Sequence, residues 1–173
     1  MVKWWIRLFP VVVAVVVAWM AALAGPAAAG GERFETVSDH LVEDRERGLL
    51  WMRCSAGQEP RGGICAGEAE AMVWTAAERF VDELGPAGCP WRLPGFHELR
   101  SLLQEGAEDP ALDTRFFPDT PSGWYWAQAT AGGHSPYDCF VTFAGAGRTL
   151  CNASGRFYLR AVVERRHLEA CRR

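Results

Sequence analysis

The chain has 173 residues, of which 18 are basic and 21 acidic, giving a formal net charge of −3 at neutral pH. A protein that binds the phosphates of nucleic acids needs a basic surface, so this charge argues against a nucleic-acid partner. Lysine occurs once, at Lys3, which excludes Schiff-base and P-loop lysine chemistry from the rest of the chain.

The start of the chain has the pattern of a secretory signal peptide. Lys3 and Arg7 precede an apolar run over residues 11–24, and alanines at residues 27–29 form a typical cleavage site. The run is shorter than the roughly 20 residues of a membrane helix, which makes an uncleaved anchor the less favoured alternative. We therefore expect residues 1–29 to be removed.

Cleavage would leave residues 30–173, which is the usual size of a single domain, with a core at about 34–165. Because two basic residues are lost with the signal peptide, the net charge becomes −5. We expect an exported protein, periplasmic or extracellular, without a stable membrane span.

A β-hairpin is the first element predicted in the exported part. Leu41-Val42 and the apolar residues 49–52 flank a charged turn that ends at Gly48. We expect the domain to begin with this hairpin. The glycine-rich residues 54–67 follow and predict a loop closed by a local disulfide.

Two short helices are predicted next. Thr75 and Glu78 match a capping box, apolar residues follow at helical spacing, and Gly85 provides the stop. A second helix is expected over residues 96–103, entered through Pro94-Gly95, because its apolar residues share one face.

The second half of the chain predicts strands. Residues 106–123 are rich in Asp, Pro and Thr and predict a long irregular loop. Aromatic and β-branched runs separated by glycines then predict antiparallel strands over residues 123–129, 139–143, 148–151 and 157–163.

Six cysteines lie in the exported part, and none is spaced C-x-x-C, so disulfides are favoured over a zinc or thioredoxin-type site. Two of them can close the glycine-rich loop, and two later ones lie symmetrically about a glycine turn, as a cross-strand bridge requires. We predict the pairs Cys54–Cys65, Cys139–Cys151 and, by elimination, Cys89–Cys171.

Catalytic motifs are incomplete. His97-Glu98 lacks the second histidine of H-E-x-x-H, because Ser101 occupies its position. Ser135 resembles the serine of a nucleophile elbow, but Tyr137 replaces the glycine that the turn requires. We expect no catalytic residue and no cofactor.

Calcium is the one metal that the loops suggest, because calcium accepts carboxylate ligands. The aspartates match no EF-hand spacing, so solvated loop side chains are the better interpretation and no metal is predicted. The four aspartates are Asp109, Asp113, Asp119 and Asp138.

Two groups admit both a scaffold and a recognition role. Arg92 could bind an anion, but its neighbours Trp91 and Leu93 alternate as in a buried strand, which favours an arginine that hydrogen-bonds backbone carbonyls. In the group 124–126 the two tryptophans share one face of a strand and the tyrosine takes the other, so at least one face belongs to the core.

Six segments occur in an order that is recognisable as a whole: LVEDRERGLLWMRCSAGQ, MVWTAAERF, WRLPGFHELRSLL, FFPDTPSGWYWAQAT, CFVTFAGAG and FYLRAVV. Over residues 34–165 the chain resembles the Lcl C-terminal domain family of exported bacterial domains. Gly95 departs from the usual Thr or Ser helix cap, and the Glu-Pro-Asn and Trp-Asn-Asp motifs of calcium lectins are absent.

The resemblance implies an α+β, C-type-lectin-like fold with two short helices, antiparallel strands, long loops and disulfides, related distantly to formylglycine-generating enzymes. It also implies that the W-R-L-P-x-x-x-E-L segment is scaffold. The expected structural residues are Trp51, Trp91, Arg92, Pro94, Glu98 and Trp126.

These observations predict an exported, non-catalytic binding module for a glycan or protein of the envelope or the extracellular space. The alternatives are a structural disulfide-stapled domain without a small ligand and a formylglycine-generating type of enzyme, which would need reactive copper-binding cysteines. Because loops held by a rigid sheet often carry recognition, we expect the binding surface at residues 113–137, with the tail 165–173 as the alternative. The candidate ligand-binding residues are Trp124, Tyr125, Tyr137, Arg115 and Asp119.

Overall fold

The computed structural model describes residues 31–85, 88–128, 139–145, 147–151 and 155–172. From Arg33 onward the chain forms one compact unit. The predicted signal peptide and Tyr137 lie outside the described residues.

The described part of the chain combines short antiparallel strands with short helices, so the α+β class is confirmed, and the arrangement is consistent with a C-type-lectin-like fold. No helix in this part is long and apolar enough to cross a membrane. The elements, in order, are β1 (Phe34–Thr36), β2 (Leu41–Asp44), β3 (Leu49–Met52), β4 (Glu59–Arg61), β5 (Ile64–Ala66), α1 (Trp74–Glu83), α2 (Phe96–Arg100), β6 (Trp124–Ala127), β7 (Cys139–Thr142), β8 (Arg148–Cys151), β9 (Val162–Glu164), a 3-10 turn (Arg165–His167) and α3 (Leu168–Cys171).

The first sheet has the strand order β1-β2-β3-β9 and contains the predicted hairpin. In that hairpin Leu41 lies opposite Met52, and Gly48 has a φ of +63°, a backbone conformation that glycine adopts without a steric cost. The prediction that the domain begins here was wrong, because β1 precedes the hairpin and pairs Phe34 with Asp44.

Helix α1 is confirmed, but its predicted capping box is wrong. The helix begins at Trp74, its N-cap is Val73, and no side chain caps it, so Thr75 already lies inside the first turn. Gly85, with a φ of +79°, follows the end of the helix as expected. Helix α2 is shorter than predicted and ends at Arg100.

A two-stranded sheet pairs β4 with β5, and a three-stranded sheet has the order β6-β7-β8. Its register places Cys139 opposite Cys151. The side chains of these two cysteines lie outside what the structure describes, so their bridge stays a prediction. The predicted last strand is divided: Phe157 and Tyr158 make isolated bridges, and regular pairing starts at Val162.

The two other predicted disulfides, Cys54–Cys65 and Cys89–Cys171, are both present. Residues 106–123 form the predicted irregular loop, which we call the long loop. It is packed rather than solvated, since it contributes Phe116 and Phe117 to the main apolar cluster, where both rings contact Phe34. Trp51 and Trp126 are buried in separate apolar clusters, as expected of structural residues.

Candidate functional site

Tyr125, the central residue of the predicted binding surface, is buried inside the protein. Its side chain has 0% exposure, and its hydroxyl lies 2.7 Å from Ser55 Oγ. The ring packs against Phe143 and Tyr158, and burial raises the pKa of the phenol, which keeps it protonated. The prediction that Tyr125 is an accessible recognition residue was therefore wrong.

The other predicted ligand-binding residues that the structure describes have different partners. Asp119 accepts a hydrogen bond at 2.9 Å from the backbone N–H of Cys65, which fixes the long loop to the first disulfide. Arg115 is 70% exposed and pairs with Asp113 at 2.6 Å. Trp124 is half-buried and packs at the edge of the Trp126 cluster. The structure does not bring these side chains together in one site.

A buried arginine connects this region to neighbouring segments. Arg160 has 0% exposure, and its Nη1 donates to the carbonyls of Met52, at 2.7 Å, and Arg53. Its Nη2 donates to Thr120 Oγ1 at 2.7 Å and to Ser55 Oγ at 3.3 Å. Burial lowers the pKa of the guanidinium. These hydrogen bonds join β3, the long loop and the segment before β9.

Arg92 holds a second polar cluster. Its guanidinium donates to both carboxylate oxygens of Glu98, at 2.7 and 2.8 Å, and to Glu164 at 3.0 Å. It reaches one backbone carbonyl, that of Leu93, at 3.2 Å, so its main partners are carboxylates and not the carbonyls that we expected. The arrangement supports a scaffold role, because it joins α2 to β9.

Glu98 connects this cluster to the start of α2. Its carboxylate also accepts a hydrogen bond at 2.7 Å from the N–H of Gly95, which is the N-cap of the helix. Pro94, next to it, is buried and accepts a hydrogen bond from Gln128 N–H at 2.8 Å. Burial acts to raise the pKa of Glu98, but the hydrogen bonds from Arg92 and Gly95 outweigh it and the pKa is lowered.

We expect Glu98→Gln to lower the free energy of unfolding by about 1 kcal/mol at pH 7, because a partly exposed ion pair is replaced by weaker hydrogen bonds. A lowered carboxyl pKa contributes stability above the unfolded value, near 4.5, and loses it as the pH falls through the folded value. The difference between parent and variant should therefore shrink below about pH 4.5. Urea unfolding at pH 7 and pH 3 measures it, with the exposed Glu169→Gln as control. An equal difference at both pH values would contradict the explanation.

A groove of about 630 Å³ has none of the predicted ligand-binding residues in its described lining. Its apolar lining includes five half-buried side chains, from β3, β4, α1 and the segment before α2. We call it the Trp91 groove. These side chains are Met52, Pro60, Phe80, Leu84 and Trp91.

Both disulfides border the Trp91 groove, because Cys54 and Cys171 belong to its lining. The indole of Trp91 lies directly against Gly85, where an added Cβ would be 2.6 Å from Nε1. A side chain at that position would displace the indole. The walls of the groove are therefore held by covalent bonds and by close packing, which preorganises a concave surface for binding.

Polar groups stand at the rim of this groove. His40, Glu59 and Arg172 are exposed, and Ser38 and Gln58 are half-buried. Convergent polar groups around an apolar floor are typical of small-molecule and peptide sites.

The described residues contain no group of three or more His, Cys, Asp or Glu that could hold a metal ion. The loop aspartates serve different partners: Asp109 accepts hydrogen bonds from Ser122 and from Gly145 N–H, while Asp113 pairs with Arg115. Asp138 lies outside the described residues.

Sequence patterns did not predict the Trp91 groove. Its five apolar side chains come from four separate segments, and most of them fit the ordinary spacing of core residues. The sequence also offered the tail, residues 165–173, as an alternative recognition element, and Arg172 from this tail lines the groove. The bridge between Cys89 and Cys171, obtained by elimination, is the signal that could have placed the tail beside Trp91.

Comparison with known proteins gives one match. The family model of the Lcl C-terminal domain matches residues 40–163, which is most of the chain. Searches of curated proteins and of solved structures found no match. The matched residues include the hairpin β2–β3, both helices that precede the long loop, and most of β9, so the expectation from the sequence is confirmed. The chain belongs to the Lcl C-terminal domain family.

Proposed function

We propose that this protein is an exported, non-catalytic binding module that seats an apolar part of an envelope or extracellular ligand, glycan or protein, in the Trp91 groove. The observation that carries the proposal is a concave surface on which five apolar side chains stay partly exposed side by side. Partly exposed apolar side chains that line a concavity are a common property of binding sites.

Export is supported by the two disulfides and by the family, since disulfides persist in oxidising compartments. The non-catalytic part of the proposal is supported by the chemistry of the groove. The cysteines that border it are bonded to other cysteines, and no free cysteine is found in the described part of the chain. Copper-dependent turnover of a cysteine-containing peptide would overturn this part.

We expect Phe80→Ala to weaken the binding of 2-naphthamide, a neutral aromatic probe, by about fivefold or more, because truncating an apolar anchor typically costs at least about 1 kcal/mol. Chemical-shift titration measures the affinity, and the melting temperature checks the fold. Ile64→Ala is the matched control, since Ile64 is 55% exposed and does not line the groove.

Saturable binding that is lost in Phe80→Ala and kept in Ile64→Ala supports the Trp91 groove as the site. Absence of saturable binding, or equal affinities for both variants, would overturn it and leave a structural domain as the better interpretation. A glycan array and a screen of extracellular proteins then identify which class of natural ligand carries the apolar part.

A further inference from the structure

The C-terminal segment, residues 165–172, lies beyond the residues that the family model matches, yet it contributes Cys171 and Arg172 to the lining of the Trp91 groove. Three contacts attach this segment to the rest of the domain. Arg165 N–H donates to the Gly48 carbonyl at 2.8 Å, and Cys171 is bonded to Cys89. Leu168 packs against a third apolar cluster, which consists of Leu41, Leu50, Cys89, Val163 and Cys171. The segment is thus a fixed part of the domain.

This attachment places Arg172 at the rim of the Trp91 groove. Arg172 Nη1 lies 3.9 Å from the carboxylate of Glu169, beyond hydrogen-bonding range, and Glu169 is 89% exposed. An ion pair that is this exposed is weak in water, so the guanidinium of Arg172 stays available to a ligand. His40 stands at the same rim and adds a side chain that can donate a hydrogen bond.

The acidic group of the rim is neutralised locally. Glu59 pairs with Arg61 at 2.8 Å, and both side chains are well exposed. Arg172 is therefore the cationic residue of the groove lining that a ligand can reach, while the acidic residue of the lining, Glu59, already has a cationic partner.

We propose that the Trp91 groove selects apolar ligands that carry a carboxylate, with Arg172 as the selecting residue; the proposal rests on the proposed function. The apolar body packs on Trp91 and Phe80, and the carboxylate meets the guanidinium. A guanidinium matches a carboxylate through two parallel hydrogen bonds, which a neutral amide cannot reproduce. The selecting residue belongs to this chain's C-terminal segment and not to the part that the family model covers.

The test compares 2-naphthoate with 2-naphthamide, two probes with the same ring system that differ in charge. We expect the full chain to bind naphthoate about two- to fivefold more tightly at low salt, which corresponds to the usual strength of an exposed ion pair. The preference should decrease in 1 M salt, because the charges are screened. Chemical-shift titration at neutral pH measures both affinities.

Arg172→Gln should abolish the preference, because it should weaken the binding of naphthoate more than the binding of naphthamide. Arg166→Gln is the matched control, because Arg166 is an exposed arginine of the same segment that does not line the groove. It should keep the preference. Equal affinities of the parent protein for both probes would overturn the selection while leaving the groove as a site. Binding of neither probe would overturn the proposed function itself. A preference that survives in Arg172→Gln would assign the selection to another residue and overturn the role of Arg172.

Discussion

Replacing Cys89 and Cys171 together by serine is expected to lower the free energy of unfolding by about 4 kcal/mol. The bridge joins residues 82 positions apart, so it restricts a long stretch of the unfolded chain. Its loss also frees the C-terminal segment that packs on the third apolar cluster. Urea unfolding of parent and double variant under oxidising conditions measures the change.

The other bridge provides the comparison. Cys54 and Cys65 are 11 positions apart, and their double replacement by serine should cost about 3 kcal/mol, because a shorter loop is closed. The long-range bridge should therefore be the more stabilising of the two. A larger loss from the Cys54 and Cys65 pair would show that loop closure does not determine the contribution of either bridge.

Trp126→Ala should lower the free energy of unfolding by about 4 kcal/mol, because the substitution removes a fully buried ring and leaves a cavity. Trp126 is 1% exposed, contacts the rings of Trp74 and Phe157, and donates from Nε1 to the Met72 carbonyl at 2.7 Å. Thermal and urea unfolding measure the loss.

Trp91→Ala is the informative contrast. Its sequence context predicted a buried tryptophan, whereas the structure leaves the side chain half-exposed in the groove. The expected loss in the free energy of unfolding is therefore smaller, about 2 kcal/mol. Equal losses for Trp91→Ala and Trp126→Ala would mean that the groove is closed in solution.

Local patterns predicted the elements well where a single residue determines the backbone. The hairpin β2–β3 could be predicted because Gly48 accommodates the left-handed conformation that its turn requires. The start of α1 could not be predicted in this way, because no side chain caps the helix in the structure. The last strand was predicted as continuous because most of its residues are apolar, but in the structure Tyr158 pairs with β6 and Val162 pairs with β3.

The prediction that Tyr125 is accessible failed for a different reason. Alternation along β6 shows that Tyr125 and Trp126 point to opposite faces, and it cannot show whether either face meets solvent. In the structure both faces are covered, since Tyr125 belongs to one apolar cluster and Trp126 to another. The Trp91 groove forms where segments that are distant in sequence come into contact. A single sequence indicates such contacts only through the cysteines that pair as disulfides.

The C-terminal segment affects how the protein should be produced. A recombinant fragment cut to the matched residues 40–163 would lack β1 and Cys171. Such a fragment would carry Cys89 as a free thiol beside an uncovered apolar patch, which favours intermolecular disulfides and aggregation during refolding. Expression boundaries that begin before Arg33 and extend past Arg172 keep that thiol bonded, so the limits of the folded unit, and not those of the family, define the fragment to be purified.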